Sequence, residues 1–206
     1  MPSRAQPNII ITGTPGVGKT SHCEQLAANT GLKHLSINQI VKDRACHDGW
    51  DAEYKSWIVD EDKVIYHPFP FEQSHIPAIE VINQNFQLLD ALEDDGVQNG
   101  GYIIDWHACD LFPESWIDLV VVLRTDTTKL YDRLKARQYP EKKLQENMDS
   151  EIMEVLLEEA RGAYDEEIVV ELRSDEAADV EGNVERIERW IESWKSNQRE
   201  KEAQDD

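Results

Sequence analysis

Residues Gly13–Thr20 read GTPGVGKT, the complete pattern G-x-x-x-x-G-K-S/T of a phosphate-binding loop. Such a loop works because its glycines let successive backbone N–H groups turn inward around phosphate oxygens. Lys19 is placed to reach the β- and γ-phosphates, and the Thr20 hydroxyl to ligate Mg²⁺. A helix starting at this point directs its positive dipole end at the same anion. The chemistry implied is phosphoryl transfer, which also needs a carboxylate at the end of a neighbouring strand to organise Mg²⁺. Asp105 closes the apolar run YIID and fits that role. Asp126 also follows a strand-like run, DLVVVLRTD, but lies beyond Arg124 and reads as a helix cap. His107 stands two residues after Asp105; residue type alone leaves it either catalytic or structural.

The elements that must position these groups are legible as alternating runs. Asn8–Thr12 (NIIIT), Tyr102–Asp105, Asp118–Leu123 (DLVVVL) and Ile168–Leu172 (IVVEL) are continuous and apolar, as expected of parallel strands covered on both faces. His34–Leu35 is a candidate short strand. Helices are predicted over Lys19–Asn29, with Gly31 as the stop, and from a Ser36 cap to about Arg44. Further helices are predicted over Thr127–Arg137, Leu144–Tyr164 and Val180–Trp194, with a polar, fraying tail at Asn197–Asp206. Strands alternating with helices indicate a doubly wound α/β sheet.

Composition narrows the function classes. The 206 residues carry 42 acidic against 21 basic side chains, a net charge of −21. Residues 141–206 hold 22 acids and 9 bases. Free-standing nucleic-acid binding needs clustered Lys and Arg, so none is expected, whereas a basic protein partner suits this surface. The first apolar run is too short for a signal-peptide core or membrane span, so no membrane association is expected. Cys23, Cys46 and Cys109 show no C-x-x-C spacing; they read as reduced thiols, with neither a zinc site nor a disulfide framework expected.

TGTPGVGKT, DEDK at Asp60–Lys63, IIDWH at Ile103–His107 and VVLRTDT at Val121–Thr127 occur in that order. Together they resemble the nuclear adenylate-kinase-like ATPases, the family of the sixth adenylate kinase isoenzyme or coilin-interacting nuclear ATPase. The resemblance runs from Asn8 to about Trp194. It implies a three-layer P-loop nucleoside monophosphate kinase fold with a short five-stranded parallel sheet, a monophosphate-binding segment at Ser36–Val59 and a small lid at Ala136–Glu146. It also implies that Gly13, Gly16, Val17, Gly18, Lys19, Thr20 and Ser21 hold ATP, that Thr20 and Asp105 hold Mg²⁺, and that His107 matters for turnover. Arg137 would be the lid arginine, and Ser36 and Lys42 would meet AMP. The family acts in late maturation of the small ribosomal subunit, which implies a pre-ribosomal particle and a basic small-subunit ribosomal protein of the platform as partners. A monomer, in nucleus and cytoplasm, is expected.

Three departures from the family pattern stand out. The lid usually reads R-G-Y, whereas Gln138 follows Arg137 here; if the glycine serves a positive φ, glutamine costs about 1 kcal/mol. Gln39 replaces a usual acid and Lys42 a frequent arginine, which exchanges a bidentate fork for a point charge. Finally, Val64–Gln87 interrupts a family helix directly after DEDK, and removing it restores the pattern DEDKLLDALED. This stretch reads as an in-frame retained intron, with a lineage-specific loop as the alternative; either way it is expected to form an irregular excursion. The activity expected is phosphoryl transfer from Mg·ATP to AMP together with ATP hydrolysis. The rival is a weakly catalytic ATP-driven switch that handles a basic ribosomal protein, and a third possibility is a kinase for another small acceptor.

Overall fold

The structure is a computed structural model, and it describes residues 4–43, 50–51, 56–57, 89 and 92–205. Its centre is a parallel sheet of β1 (Ile9–Thr12), β2 (Lys33–Ser36), β5 (Tyr102–Asp105), β6 (Leu119–Arg124) and β7 (Val169–Arg173), ordered β2-β5-β1-β6-β7. A two-residue ribbon, β3 (Trp50–Asp51) with β4 (Ser56–Trp57), stands apart from it. The chain also forms helices α1 (Lys19–Thr30), α2 (Ile37–Asp43), α3 (Thr127–Ala136), α4 (Glu141–Ile152), α5 (Val155–Ala163) and α6 (Ala177–Asp205), with short 3-10 turns at Val97–Asn99, Cys109–Leu111, Glu114–Trp116 and Glu166–Ile168. The expected fold class is thereby found: a doubly wound α/β sheet of five parallel strands.

The continuous apolar runs have the cause inferred for them. Every residue of β1, β5 and β6 is buried, because helices cover both faces of the sheet. Odd and even positions feed separate cores. Ile9, Ile11, Ile103, Val121 and Leu123 pack with Leu26, Leu130 and Leu134, and with Val184, Ile187 and Ile191 of α6. Ile10, Ile104, Val120 and Val122 pack on the opposite face with Phe112, Trp116, Leu157, Ala160 and Tyr164. Parallel register sets Ile11 of β1 beside Asp105 of β5, and Ser36 of β2 on the other side of Asp105. The P-loop and the carboxylate-bearing strand end are therefore neighbours at the carboxyl ends of two adjacent inner strands.

Two expectations are corrected. The single helix expected over Leu144–Tyr164 is two helices, separated at Met153 and Glu154, with Glu154 at φ 58°. A straight helix cannot serve both faces of the sheet: Leu144 belongs to the α1/α6 core, whereas Leu157 and Ala160 belong to the opposite one. The break carries the chain from one to the other. The tail Asn197–Asp206, expected to fray, continues α6 to Asp205. Its Gln, Arg, Glu, Lys and Ala residues are good helix formers, and that propensity extends a helix whose first half is anchored by Val184, Ile187 and Ile191. The segment Val64–Gln87 and most of Ser36–Val59 beyond α2 lie outside the described residues, and so does Cys46.

Candidate active site

The P-loop is shaped by glycines that have no room for a side chain. Gly13 has φ 136°, and a Cβ there would lie 2.5 Å from the Leu123 carbonyl oxygen of β6. Gly16 is at φ 103°, and a Cβ there would lie 3.0 Å from Leu130 Cδ1 and 3.1 Å from Leu134 Cδ2 of α3. The loop is thus pressed between its own strand's neighbour and the next helix, and a phosphate would enter at its opening on the other side. Lys19 lies across that opening, its Nζ donating to the carbonyls of Gly13 at 2.5 Å and Thr14 at 3.3 Å. Val17 is buried in the α1 core, while Thr20 and Ser21 at the head of α1 face solvent.

The Thr20 hydroxyl donates to Asp105 Oδ2 at 2.8 Å, so the two residues inferred to hold Mg²⁺ are in contact. Burial opposes the charge on Asp105, but the nearby His34 ring, the Thr20 hydroxyl and the Lys19 ammonium outweigh it and hold this carboxyl below its ordinary range. The His34 contact, 3.5 Å from Nε2 to Oδ2, is not aligned as a hydrogen bond and acts by proximity. A hydroxyl and an ionised carboxylate side by side are hard oxygen donors, and they fit Mg²⁺.

His107 is 6 % exposed. Its backbone carbonyl accepts from Thr12 Oγ1 at 2.7 Å, which fixes it to the end of β1, and its ring packs at 4.7 Å, tilted, on Trp106. Burial, with help from Lys19 and Lys143, pushes its pKa down to about 3, so the imidazole is neutral at physiological pH. A neutral imidazole offers one donor and one acceptor nitrogen beside the phosphate site.

Arg137 caps α3 and is exposed. Gln138 follows at φ 56°, donating its N–H to Lys135 O at 2.9 Å, and Tyr139 donates to Leu134 O at 3.4 Å. This is a Schellman motif with glutamine at its left-handed position, the strain anticipated for Gln138. The stretch expected to form the lid, Ala136–Glu146, comprises the last residue of α3, the turn Arg137–Pro140 and the first residues of α4. Ser36 ends β2, half-buried, opposite Asp105. Lys42 lies in α2, and its side chain is outside the described residues.

Two residues overlooked in the sequence belong to the site's framework. Arg133, one helical turn before Arg137, donates to the carbonyls of Gly16 (3.4 Å), Ser174 (3.0 Å) and Asp175 (2.8 Å); its i, i+4 spacing from Arg137 was the available signal. Glu151, 2 % exposed, accepts from Thr14 Oγ1 at 2.6 Å, Arg124 Nε at 2.8 Å and Thr125 N at 3.0 Å. It ties the P-loop, the end of β6 and the end of α4 to one carboxylate. Nothing in an acid-rich helical stretch distinguished it. Asp126 caps α3 as read, accepting from the N–H groups of Thr128 and Lys129.

A family model described as an AAA domain matches residues 9–154. An adenylate kinase isoenzyme 6 homolog from Candida albicans is 47 % identical over 93 % of this chain and 71 % of its own. The homolog from Schizosaccharomyces pombe is 46 % identical over 94 % and 97 %, and that from Dictyostelium discoideum 44 % over 93 % and 95 %. Among solved structures, shikimate kinase from Acinetobacter baumannii superposes with a TM-score of 0.55 at 16 % identity, covering 91 % of this chain and 94 % of that one. Shikimate kinase from Bacteroides thetaiotaomicron gives 0.54 at 17 %, covering 91 % and 99 %. At such identities these two speak for the P-loop kinase fold alone.

Proposed function

Since the chain belongs to the adenylate kinase isoenzyme 6 family, whose fold is that of a P-loop kinase, we propose that it transfers the γ-phosphoryl group of Mg·ATP to AMP and, without AMP, to water. The observation carrying this reading is the contact of Thr20 with Asp105 at the mouth of a complete P-loop, with neutral His107 two residues on. Mg²⁺, when bound, offsets charge on the β- and γ-phosphate oxygens, and Thr20 and Asp105 are the side chains that would hold it. Lys19 exchanges its carbonyl partners for phosphate oxygens. Gly13, Gly16, Val17, Gly18 and Ser21 supply the surrounding backbone and helix start. Arg137, exposed on its turn, closes over the transferring group and shields it from bulk water. His107 orients a water or the acceptor and takes up hydrogen bonds without changing charge. Ser36 and Lys42 flank the acceptor side.

The wider role proposed is in small ribosomal subunit biogenesis and pre-rRNA processing, in nucleus and cytoplasm, beside a basic ribosomal protein of the platform. The net charge of −21 supports a basic partner, and it equally favours the second reading, an ATP-driven switch or chaperone for that protein with little turnover of its own. Steady-state and single-turnover assays with ATP alone, with AMP, and with a basic platform protein separate the two. Rapid ADP formation from ATP and AMP, abolished in Asp105→Ala, is the expected result. Turnover that requires the protein partner establishes the switch, and turnover unaffected by Asp105→Ala overturns the site.

A further inference from the structure

The fold assembles a donor set that the spacing of cysteines did not announce. Cys23 lies one turn after Thr20 on α1 and is fully buried. His34 lies on edge strand β2, two residues before Ser36, which sits opposite Asp105. The Cys23 sulfur, a His34 ring nitrogen and an Asp105 carboxylate oxygen all fall within 4.8 Å of one another. His34 Nε2 is itself shielded from solvent and makes no hydrogen bond; Asp105 Oδ2 stands 3.5 Å away.

From this convergence we propose that Cys23, His34 and Asp105 form a site for a thiophilic divalent cation of the zinc class, overlapping the position where Asp105 serves Mg²⁺. One sulfur, one imidazole nitrogen and one carboxylate oxygen are the ligand types zinc takes, with bonds of roughly 2.0–2.3 Å and therefore ligand-to-ligand edges of roughly 3.3–3.8 Å in a tetrahedron. The His34–Asp105 edge already has that length. The sulfur edges need to close by no more than about 1.5 Å, within reach of a χ1 adjustment at Cys23. The fourth position opens toward solvent-facing Thr20, which touches the same Asp105 oxygen, and is left to water. Binding forms a metal–sulfur bond and breaks the S–H bond of Cys23, whose proton goes to solvent. Thiolate and imidazole select against Mg²⁺, so the two cations bind through different residues and compete for one carboxylate. The occupied site withdraws Asp105 from the ATP-bound metal and silences turnover. The existence of the site stands on geometry alone; only this inhibitory consequence rests on the proposed function.

Co²⁺ is the probe. Chelator-treated, nucleotide-free protein titrated with Co²⁺ is expected to develop a near-ultraviolet sulfur-to-cobalt charge-transfer band and tetrahedral visible bands at one equivalent, both erased by Zn²⁺. Cys23→Ser removes the charge-transfer band, whereas Cys46→Ser and Cys109→Ser retain it. His34→Gln, on the edge strand β2, weakens Co²⁺ binding more than the ~10–100-fold typical of losing a supporting group; this variant decides the matter if Cys23→Ser does not fold. Absence of the band in the wild type, its survival in Cys23→Ser, or unchanged affinity in His34→Gln overturns the site. A spectroscopically proven site whose Zn²⁺ leaves phosphoryl transfer intact, in a protein that does turn over ATP, overturns the inhibition.

Discussion

Replacing Glu151 by alanine removes one carboxylate and leaves several groups without a partner. Arg124, with a side chain 10 % exposed, loses its Nε contact at 2.8 Å, and the buried Thr125 N–H and Thr14 hydroxyl lose their acceptor. Breaking a buried ion pair from one side costs about 3–5 kcal/mol. Here the loss is softened, because Glu154 at 3.1 Å and Glu171 at 3.9 Å, both substantially exposed, still face Arg124 Nη1. About 3 kcal/mol is therefore expected, the low end of the range. For a domain of this size that lowers Tm by about 6–12 °C. Glu151→Gln keeps an oxygen for Thr125 but not the charge, so it should lose about half as much. Chemical denaturation with thermal melting measures both variants, and ATP affinity of the folded fraction measures the tie to Thr14. A loss below about 1 kcal/mol in Glu151→Ala, or equal losses in the two variants, refutes the reasoning. A loss that small would mean that Glu154 and Glu171 replace Glu151 fully.

Lys19→Ala should weaken ATP binding by about 10–100-fold and abolish turnover, as expected for losing a charged hydrogen-bond donor to phosphate; full ATPase activity in equilibrium-binding and turnover assays would remove the P-loop assignment. His107→Ala should keep ATP affinity while kcat falls by about 100-fold, whereas a lower Tm with normal specific activity would return His107 to the core. Gln138→Gly should raise stability by up to about 1 kcal/mol in denaturant titrations, since the left-handed residue of the Schellman motif is relieved. Glu159 titrates near 7, raised by burial and then by Asp110, so folding favours its protonated form and stability from this group falls as pH climbs from about 4.5 through 7. Glu159→Gln should therefore stabilise the protein at pH 8 and make no difference at pH 4, and a pH-independent gain contradicts this.

Much of this was readable in the chain because the physics was local. Apolar runs without alternation marked buried parallel strands, Gly31 takes the left-handed φ of 73° that ends α1, and Asp126 caps α3. The Gln138 strain followed from a single residue in a recognised turn. What escaped was tertiary. No proline or glycine marks the break at Glu154, since its cause is the need to serve two cores on opposite faces of the sheet. Glu151 looked like one more solvated acid, and Cys23, His34 and Asp105 are far apart in sequence until β2 pairs with β5 and α1 crosses them.

The P-loop is held in shape from the far end of the chain. Ser174 Oγ donates to Val17 O at 2.6 Å, Asn183 of α6 contacts His22 Nε2 at 3.1 Å, and Asn29 donates to Glu188 at 2.6 Å. Strand β1 precedes its partners β5 (Tyr102–Asp105) and β6 (Leu119–Arg124) by a long stretch of chain. A nascent chain therefore carries the whole GTPGVGKT motif out of the ribosome long before the residues that buttress it exist. Nucleotide capture is accordingly expected to come late in synthesis, after β7 and α6 have docked. Loss of the α1–α6 contact is expected to weaken the loop's hold on nucleotide without touching any residue in it.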